Sequence, residues 1–420
     1  MALPVPDRHA HITPSLTFRA PCNLRGWGKG SGLKYNGPMQ QKPIRLGLQQ
    51  RVLPAYRAPF FDHLAAAFEG GLSVFAGQPL AEEAVIPAEK LERARYYPAR
   101  NLHLGSTRSP LYLCWQANLL NWLREWEPDA LVVEANSRNL STWRALGWMR
   151  ARRRPVIGWG LGLPQGAGKL QSLRMPGRLR FLRAFDVMIA YSRQGAEEYC
   201  RLGYRPEQVF VAPNAATPRP STPPPSRSAA FDGPPRVLFV GRLQARKRVD
   251  LLLRACASLT QERQPELTVI GDGPARDELE QAARQVYPRA RFPGALRGEA
   301  LRPHFARSDL FVLPGTGGLA VHEAMAHGLP VIVAEGDGTQ ADLVRPGNGW
   351  QVQPGSQEAL NHALAQALTD PARLRKMGAE SFRIVSDEVN FEVMAGIFAR
   401  AVEQALLLKC PALRPAGQDG

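Results

Sequence analysis

Short apolar runs that end in glycine or proline turns recur along most of this chain, and segments with apolar residues at helical spacing separate them. This alternation is typical of βαβ units, in which helices join parallel strands and cover the sheet. In the first half of the chain we predict strands at residues 44–49, 72–76, 130–134, 156–159, 187–190 and 209–212. In the second half we predict strands at residues 236–240, 266–270, 290–292, 310–313 and 330–334, and helices that begin near residues 250, 275, 299 and 319. The chain is therefore expected to be an α/β protein with two parallel sheets.

A proline-dense segment separates the two groups of strands. It includes the run Pro-Arg-Pro-Ser-Thr-Pro-Pro-Pro, which neither a helix nor a central strand tolerates. Two domains are expected, because 420 residues exceed what one hydrophobic core usually covers. The predicted order is a disordered leader, a first Rossmann-like domain, a proline-rich linker, a second Rossmann-like domain, a C-terminal helix and a tail, at residues 1–42, 43–213, 214–235, 236–388, 389–408 and 409–420. Met39, just before the first strand, is an alternative translation start.

Charge is the unusual property of the composition. The net charge of +16 and the pI of about 10.1 attract anions such as phosphates, nucleic acid or the acidic face of a membrane. Ten basic residues and no acidic one lie between Trp143 and Phe185, interleaved with apolar side chains. This pattern indicates a surface that sits on anionic lipid, and a basic solvated face above ordinary core residues explains it equally well. The ten residues are Arg144, Arg150, Arg152, Arg153, Arg154, Lys169, Arg174, Arg178, Arg180 and Arg183.

The cysteines and the hydropathy indicate the compartment. Five scattered cysteines, with no close pair, argue against a zinc cluster and against a disulfide framework. No stretch approaches the ~20 apolar residues of a spanning helix. We therefore expect a protein of the cytoplasm that is soluble or peripheral on the inner face of the membrane.

Four consecutive strands of the second half end in glycine turns. Because the carboxyl ends of parallel strands lie at one edge of a sheet, where ligands of open α/β folds bind, these turns are expected to surround a ligand. The first turn also carries Arg242 and Lys247, whose charges suit a diphosphate, although a solvated basic loop is the simpler alternative. The turns are Gly241-Arg242-Leu243, Gly271-Asp272-Gly273-Pro274, Phe292-Pro293-Gly294 and Pro314-Gly315-Thr316-Gly317-Gly318.

The last of these turns opens a helix that begins near Leu319. The amino terminus of a helix presents unpaired N–H groups and a partial positive charge, so Gly317 and Gly318 are candidates to hold phosphate or sugar oxygens. Glu323 lies about one turn inside the helix, where a carboxylate can accept two hydroxyl hydrogen bonds from a ribose or simply stabilise the helix surface. We interpret the neighbouring His322 and His327 as packing or surface residues rather than as catalysts.

The ordered motifs Gly-Arg-Leu-x-x-x-Lys, Gly-Asp-Gly-Pro, Phe-x-Gly, Pro-Gly-x-x-Gly-Leu, Glu-Ala-Met-Ala-x-Gly-x-Pro-Val-Ile and Gly-Asn-Gly resemble family 4 of the retaining glycosyltransferases. The resemblance covers residues 236–405 and implies the GT-B fold, in which two Rossmann-like domains face each other across a cleft. It implies that Arg242 and Lys247 bind the donor diphosphate and act in catalysis, that Glu323 binds the nucleotide ribose, and that no metal or cofactor is required. The donor-binding set that it implies is Gly241, Arg242, Lys247, Gly273, Pro293, Gly317, Gly318, Leu319 and Glu323.

The sequence departs from the family pattern at two positions. Gly315 stands eight residues before Glu323, where the family usually has a second glutamate that meets the hydroxyls of the donor sugar. Leu161 stands where many members have a histidine near the reacting sugar. These departures leave the identity of the sugar and the details of catalysis open.

Four residues of the first half are candidates for the acceptor side. Tyr56 and Arg57 follow the first strand, and Glu134 and Arg138 end or follow the strand at 130–134. In the alternative interpretation, the Tyr-Arg-x-x-Phe-Phe segment enters a helix whose aromatic side chains belong to the core.

The leading hypothesis is a retaining hexosyltransferase that moves a sugar from a nucleotide-diphosphate sugar to a lipid-linked, glycolipid or surface-polysaccharide acceptor. A GT-B protein that binds a nucleotide sugar without catalysing its transfer is the alternative suggested by Gly315 and Leu161. A nucleic-acid-binding protein is suggested by the pI alone. Because the sequence carries no recognised nucleic-acid-binding motif, no nucleic-acid partner is expected.

Overall fold

The computed structural model describes residues 43–83, 85–107, 109–163 and 169–409, without the side chains of residues 169–172. The predicted leader, the alternative start at Met39 and residues 410–420 of the predicted tail lie outside the described residues.

The first half of the described chain builds a seven-stranded parallel sheet and a separate two-stranded hairpin. Helices α1 (Ala58–Ala65), α2 (Leu119–Trp126), α3 (Thr142–Ala151), α4 (Lys169–Leu182) and α5 (Arg193–Arg201) connect the strands. The strands are β1 (Leu46–Val52), β2 (Leu72–Gly77), β3 (Arg95–Pro98), β4 (Arg100–Leu104), β5 (Leu113–Ala117), β6 (Ala130–Glu134), β7 (Val156–Gly160), β8 (Val187–Ala190) and β9 (Val209–Val211). The sheet order is β3-β2-β1-β6-β7-β8-β9, and β4 pairs antiparallel with β5.

The second half builds a six-stranded parallel sheet in the order β12-β11-β10-β13-β14-β15. Its strands are β10 (Arg236–Val240), β11 (Glu266–Ile270), β12 (Arg291–Gly294), β13 (Leu310–Leu313), β14 (Val331–Ala334) and β15 (Gly349–Val352). Its helices are α6 (Val249–Ala257), α7 (Arg276–Val286), α8 (Arg302–Arg307), α9 (Leu319–Ala326), α10 (Thr339–Leu343), α11 (Gln357–Ala367) and α12 (Pro371–Asp387). The predicted α/β architecture with two parallel sheets is confirmed.

The strands that sequence periodicity missed are β3, β4, β5 and β15. Strands β3 and β15 lie at sheet edges, and β4 and β5 form the hairpin outside both sheets. None of them carries the continuous apolar run of a strand that is buried on both faces. The central strands β8 and β13 are buried along their length and β6 is buried up to Glu134, and the sequence predicted the bounds of all three correctly.

The last helix, α13 (Phe391–Lys409), returns to the first sheet. Its apolar face buries Phe398, whose ring packs edge-on against Trp159 of β7 at 5.0 Å and against Phe60 of α1 at 5.4 Å. Near its end, Lys409 Nζ lies 2.7 Å from the Asp186 carboxylate before β8. The sequence indicated one apolar face of this helix, and the structure shows that this face packs against the first half of the chain.

Candidate functional site

The carboxyl edges of the two sheets enclose a cavity of about 540 Å³. One wall comes from residues that follow β1, β7, β8 and β9, and the other from residues that follow β10, β13 and β14. Such an edge is where open α/β sheets bind ligands. The lining residues of the first wall include Tyr56, Arg57, Leu161, Tyr191, Pro213 and Asn214, and those of the second include Gly241, Arg246, Lys247, Gly317, Gly318, Leu319, Asp337, Thr339 and Gln340.

Two cations from one short turn form the basic part of this cavity. In the 3-10 turn Ala245–Lys247, the Lys247 ammonium donates to the Thr316 carbonyl at 2.6 Å, and Arg246 Nη1 donates to the Thr316 hydroxyl at 2.9 Å. Burial, with the neighbouring charge of Arg246, lowers the pKa of Lys247 to about 8. Both partners are neutral, so the two charges remain available to an anion, and Lys247 is still mostly protonated at neutral pH.

The opening of α9 meets these cations. Gly317 has a φ of 131°, and a Cβ built on it would lie only 2.2 Å from Lys247 Nζ. Glycine is therefore required where the ammonium crosses the loop. The N-cap residue of α9 is Gly318, which has no side chain to cap the helix, so the first N–H groups of α9 and the ammonium form a positive site at one end of the cavity.

Glu323 lies on the same helix, one turn beyond Leu319. Burial raises the pKa of its carboxyl, and its carboxylate makes no hydrogen bond or ion pair with another described residue. A half-buried carboxylate without a protein partner is suited to accept hydrogen bonds from ligand hydroxyls. Glu323 does not line the cavity itself.

Three other residues of the predicted donor set also lie outside the cavity lining. Arg242 is exposed, and its Nη1 lies 3.5 Å from the carbonyl of Glu83 in the first half of the chain. Pro293 is exposed on the edge strand β12. Gly273 has a φ of 154°, and a Cβ there would lie 2.3 Å from the Leu243 carbonyl. This glycine therefore lets two turns pack together and so supports the backbone after β10.

The predicted acceptor-side residues divide into two groups. Tyr56, 46% exposed, and Arg57, only 4% exposed, line the cavity. The Arg57 guanidinium lies 5.0 Å from the centre of the Trp159 ring and donates to Asn214 Oδ1. Glu134 is not a lining residue, and its carboxylate accepts from the Arg51 backbone N–H at 2.9 Å. Arg138 lines a different cavity.

The two aromatic residues that follow Arg57 are fully buried in the core. Phe60 and Phe61 both have no exposed surface. The interpretation that these aromatics begin a core helix is therefore confirmed, while Arg57 itself reaches the cavity.

Gly315 is fixed by backbone packing. A Cβ on it would lie 2.2 Å from the Arg246 carbonyl oxygen and 2.5 Å from the Lys247 carbonyl carbon. The turn that carries the two cations therefore occupies the space into which a side chain at 315 would extend. This contact gives a physical reason for the absence of the glutamate that the family pattern has here.

Sequence reasoning missed the part of the cavity that follows β14. Gln340 is buried, and its Nε2 donates to the Gly317 carbonyl at 3.3 Å, while its Oε1 has no partner among the described residues. Asp337 and Thr339 line the cavity beside it. The available signal was the Gly-Asp-Gly turn at 336–338, a further glycine turn at the same sheet edge.

His322 is a core residue, which is the packing alternative of the sequence interpretation and not the surface one. Its Nε2 lies 2.6 Å from the Val389 carbonyl, which can only accept, so this nitrogen carries the proton. Thr217 Oγ1 lies 3.4 Å from Nδ1. Burial lowers the pKa of His322 to about 4, so the side chain is neutral at neutral pH. His327 is half-buried and stacks on the Phe305 ring at 4.8 Å, so it has a packing role.

A pH dependence of stability follows from His322. Its pKa is about 4 when folded and about 6.5 in an unfolded chain, so between these values only the unfolded chain binds the proton. The free energy of unfolding should therefore fall by about 3 kcal/mol as pH decreases from 6.5 to 4. Urea unfolding of wild type and His322→Asn over this range checks it, with a flatter pH dependence expected for the variant. Equal slopes for the two proteins would contradict this assignment.

Two family models match the chain. The model for glycosyltransferase family 4 matches residues 73–219, and the model for glycosyl transferases group 1 matches residues 234–370. The chain therefore belongs to the family 4, group 1 glycosyltransferases, as the motif resemblance predicted.

Individual relatives agree with this assignment. A GDP-mannose-dependent alpha-mannosyltransferase of Mycolicibacterium smegmatis is 42% identical over 123 residues, which cover 29% of this chain and only 30% of that protein. The lipopolysaccharide core biosynthesis glycosyltransferase LpsE of Rhizobium meliloti is 28% identical over 316 residues, which cover 70% of this chain and 88% of LpsE. The structure of Anabaena Alr3699/HepE in complex with UDP superposes with a TM-score of 0.63 at 18% identity, over 86% of this chain and 99% of that one. The last likeness confirms the predicted two-domain GT-B fold.

The hydropathy of the described helices bears on whether one of them could cross a membrane. Among residues 43–83, 85–107, 109–163 and 169–409, no helix combines the length and the apolar composition needed to cross a bilayer.

Proposed function

We propose that this chain transfers a hexosyl unit from a nucleotide-diphosphate sugar to a glycolipid, lipid-linked or surface-polysaccharide acceptor, with retention of the anomeric configuration. One observation carries the proposal: the Lys247 ammonium lies against the uncapped amino terminus of α9, inside the cavity between the two sheets. The ammonium and the helix terminus are two independent sources of positive potential at one point, and together they suit the negative charge of a diphosphate.

The relatives support the proposed donor and the proposed acceptor to different degrees. The mycobacterial relative uses GDP-mannose by its name, and HepE was solved with UDP, so the donor class is supported and the base is left open. LpsE acts in lipopolysaccharide core biosynthesis by its name, which supports a glycolipid acceptor. Work on such an acceptor would place the enzyme in the cytoplasm at the inner face of the membrane.

The proposed chemistry depends on charge and position rather than on a side-chain base. As the bond from the sugar to the diphosphate breaks, negative charge grows on the leaving phosphate, where Lys247 and the N–H groups of α9 stabilise it. The leaving phosphate takes the proton of the acceptor hydroxyl, so Leu161 in the place of a histidine does not prevent transfer. Tyr56 and Arg57 on the opposite wall position the acceptor or the donor. The proposal includes no metal, because Lys247 and Arg246 would neutralise the diphosphate.

A panel of UDP- and GDP-sugars tests the activity. We expect one donor to be consumed in the presence of membrane-lipid extract, with slow hydrolysis in its absence, unchanged by EDTA. Proton NMR of the product should show the anomeric configuration of the donor. An inverted product would contradict the retaining mechanism.

A binding protein without transfer activity is the second candidate, favoured by Gly315 and Leu161. Nucleotide-dependent stabilisation without release of sugar from any donor would support this candidate over the enzyme.

A further inference from the structure

A second cavity, of about 550 Å³, lies in the first half of the chain beside the loop that follows β6. Arginine side chains from that loop and from α4 line it together with apolar side chains. We name it the arginine pocket, and its members used below are Arg138, Arg174, Arg178, Arg180, Trp143 and Leu173.

The four arginines of this pocket lack acidic partners within the part of the chain that the structure describes. None of them forms an ion pair with an acidic side chain of the described residues, and Arg174 Nη1 donates to the Pro110 carbonyl. Burial and the charges of Arg138 and Arg174 lower the pKa of Arg178. Several arginines elsewhere in the described chain are paired with carboxylates, as in the 2.6 Å pair of Arg254 with Asp250. A cluster of like charges is unfavourable until an anion enters it.

Apolar surface surrounds the arginine pocket. Trp143 is 37% exposed and Leu173 is 80% exposed at its wall. The neighbouring β4–β5 hairpin packs on the same loop, with the Cys114 N–H donating to the Arg138 carbonyl at 2.9 Å. This hairpin exposes Leu102, Leu104, Leu111 and Trp115. A molecule that complements both the arginine cluster and the apolar surface around it has an anionic group and an apolar portion.

The arginine pocket lies near the cavity between the two sheets, which we call the donor cavity. Ser137 and Arg138 follow β6 at the carboxyl edge of the first sheet. Arg57 and Leu161 follow the neighbouring strands β1 and β7 at the same edge, and both line the donor cavity. The arginine pocket therefore lies on the edge from which an acceptor would approach.

We propose that the arginine pocket binds the phosphate of an amphiphilic lipid head group. Guanidinium groups bind phosphate oxygens through paired N–H donors, which a lysine cannot reproduce. The proposal that this pocket binds a lipid phosphate depends only on the residues of the pocket. The identification of the bound lipid as the acceptor rests on the proposed function.

Vesicle flotation tests this binding. One set of phosphatidylcholine vesicles contains phosphatidic acid, and the other carries the same charge as cholesteryl hemisuccinate, a carboxylate without phosphate. Wild type should bind the phosphatidic acid vesicles about tenfold more tightly, because a phosphate monoester presents three acceptor oxygens and can bridge several guanidinium groups at once, whereas a carboxylate presents two. Arg138→Ala with Arg178→Ala should remove that preference. Equal binding of wild type to both vesicles would overturn the proposal.

A remote double variant controls for net charge. Arg263→Ala with Arg289→Ala removes two exposed charges from the second half of the chain and should bind both vesicles as wild type does. Arg138→Lys with Arg178→Lys retains the charge and should still lose most of the preference, which keeps the test decisive if the alanine variant does not fold. Retention of the full preference by the lysine variant would overturn the proposal.

Calorimetry with inorganic phosphate alone distinguishes the source of the anion. Weak or undetectable binding of inorganic phosphate is expected, whereas binding as tight as that of the vesicles would indicate a free-anion site and overturn the lipid assignment. Thermal shift by UDP and GDP should be the same in wild type and in the alanine variant. If neither UDP nor GDP stabilises wild type, and wild type still prefers phosphatidic acid vesicles, the proposed transfer function is contradicted. The proposal that the arginine pocket binds a lipid phosphate is then retained.

Discussion

Replacement of Lys247 by alanine is expected to lower kcat/KM for the sugar donor by about 100- to 1000-fold, the usual cost of removing one group aimed at charge that develops in a transition state. The ammonium sits between the Thr316 carbonyl and Gly317 at the opening of α9, and no other lysine lines the cavity among the described residues. Initial rates with varied donor concentration measure the effect.

The pH dependence gives this prediction a second readout. The pKa of Lys247 is about 8, so in the free enzyme the ammonium is present below that pH and is lost as pH rises through it. Wild-type kcat/KM should therefore decrease above pH 8, and the variant should lack this decrease. Lys376→Ala removes an exposed lysine of α12 and is the matched control. A loss of activity below tenfold for Lys247→Ala would contradict the assigned role.

Gly315→Ala is expected to abolish most of the transfer activity, and Gly315→Glu, which restores the family residue, should do so as well. A Cβ at this position would lie 2.2 Å from the Arg246 carbonyl, so the turn that carries Arg246 and Lys247 must move. Overpacking of this kind also costs about 1–3 kcal/mol of stability. Donor kinetics and urea unfolding measure the two effects.

The control is a glycine without neighbours. A Cβ on Gly147 in α3 would meet no atom within 4 Å other than those of its chain neighbours and its own helix, and alanine there should preserve activity and raise stability slightly because it favours the helix. Wild-type activity in Gly315→Glu would show that the loop opens easily and that the missing glutamate has no packing cause.

The donor side of the cavity could be predicted because its residues follow strands in the sequence. Gly241, Lys247, Gly317 and Gly318 lie near the carboxyl ends of β10 and β13, and parallel topology brings such ends together. The same reasoning placed Gly273 near a ligand, whereas its glycine is required by contact with the Leu243 backbone. A glycine pattern indicates that another group approaches the backbone closely. It does not show whether that group belongs to a ligand or to a neighbouring loop.

The parts that could not be predicted depend on contacts between distant segments. Arg57 meets Asn214, which lies 157 residues later, and α13 packs on Phe60 and Trp159 of the first half. No local period encodes such contacts. The Gly-Asp-Gly turn at 336–338 indicates only the region of Gln340, because the turn does not encode the hydrogen bond from Gln340 to the Gly317 carbonyl.

Isothermal titration of UDP and of GDP into wild type, Lys247→Ala and Glu323→Ala tests the central claim most directly, since it measures the donor cavity without requiring an acceptor. We predict that one of the two nucleotides binds wild type and that each substitution weakens it at least tenfold, Lys247 through the diphosphate and Glu323 through the ribose. Binding of neither nucleotide, or equal affinity in all three proteins, would contradict the account.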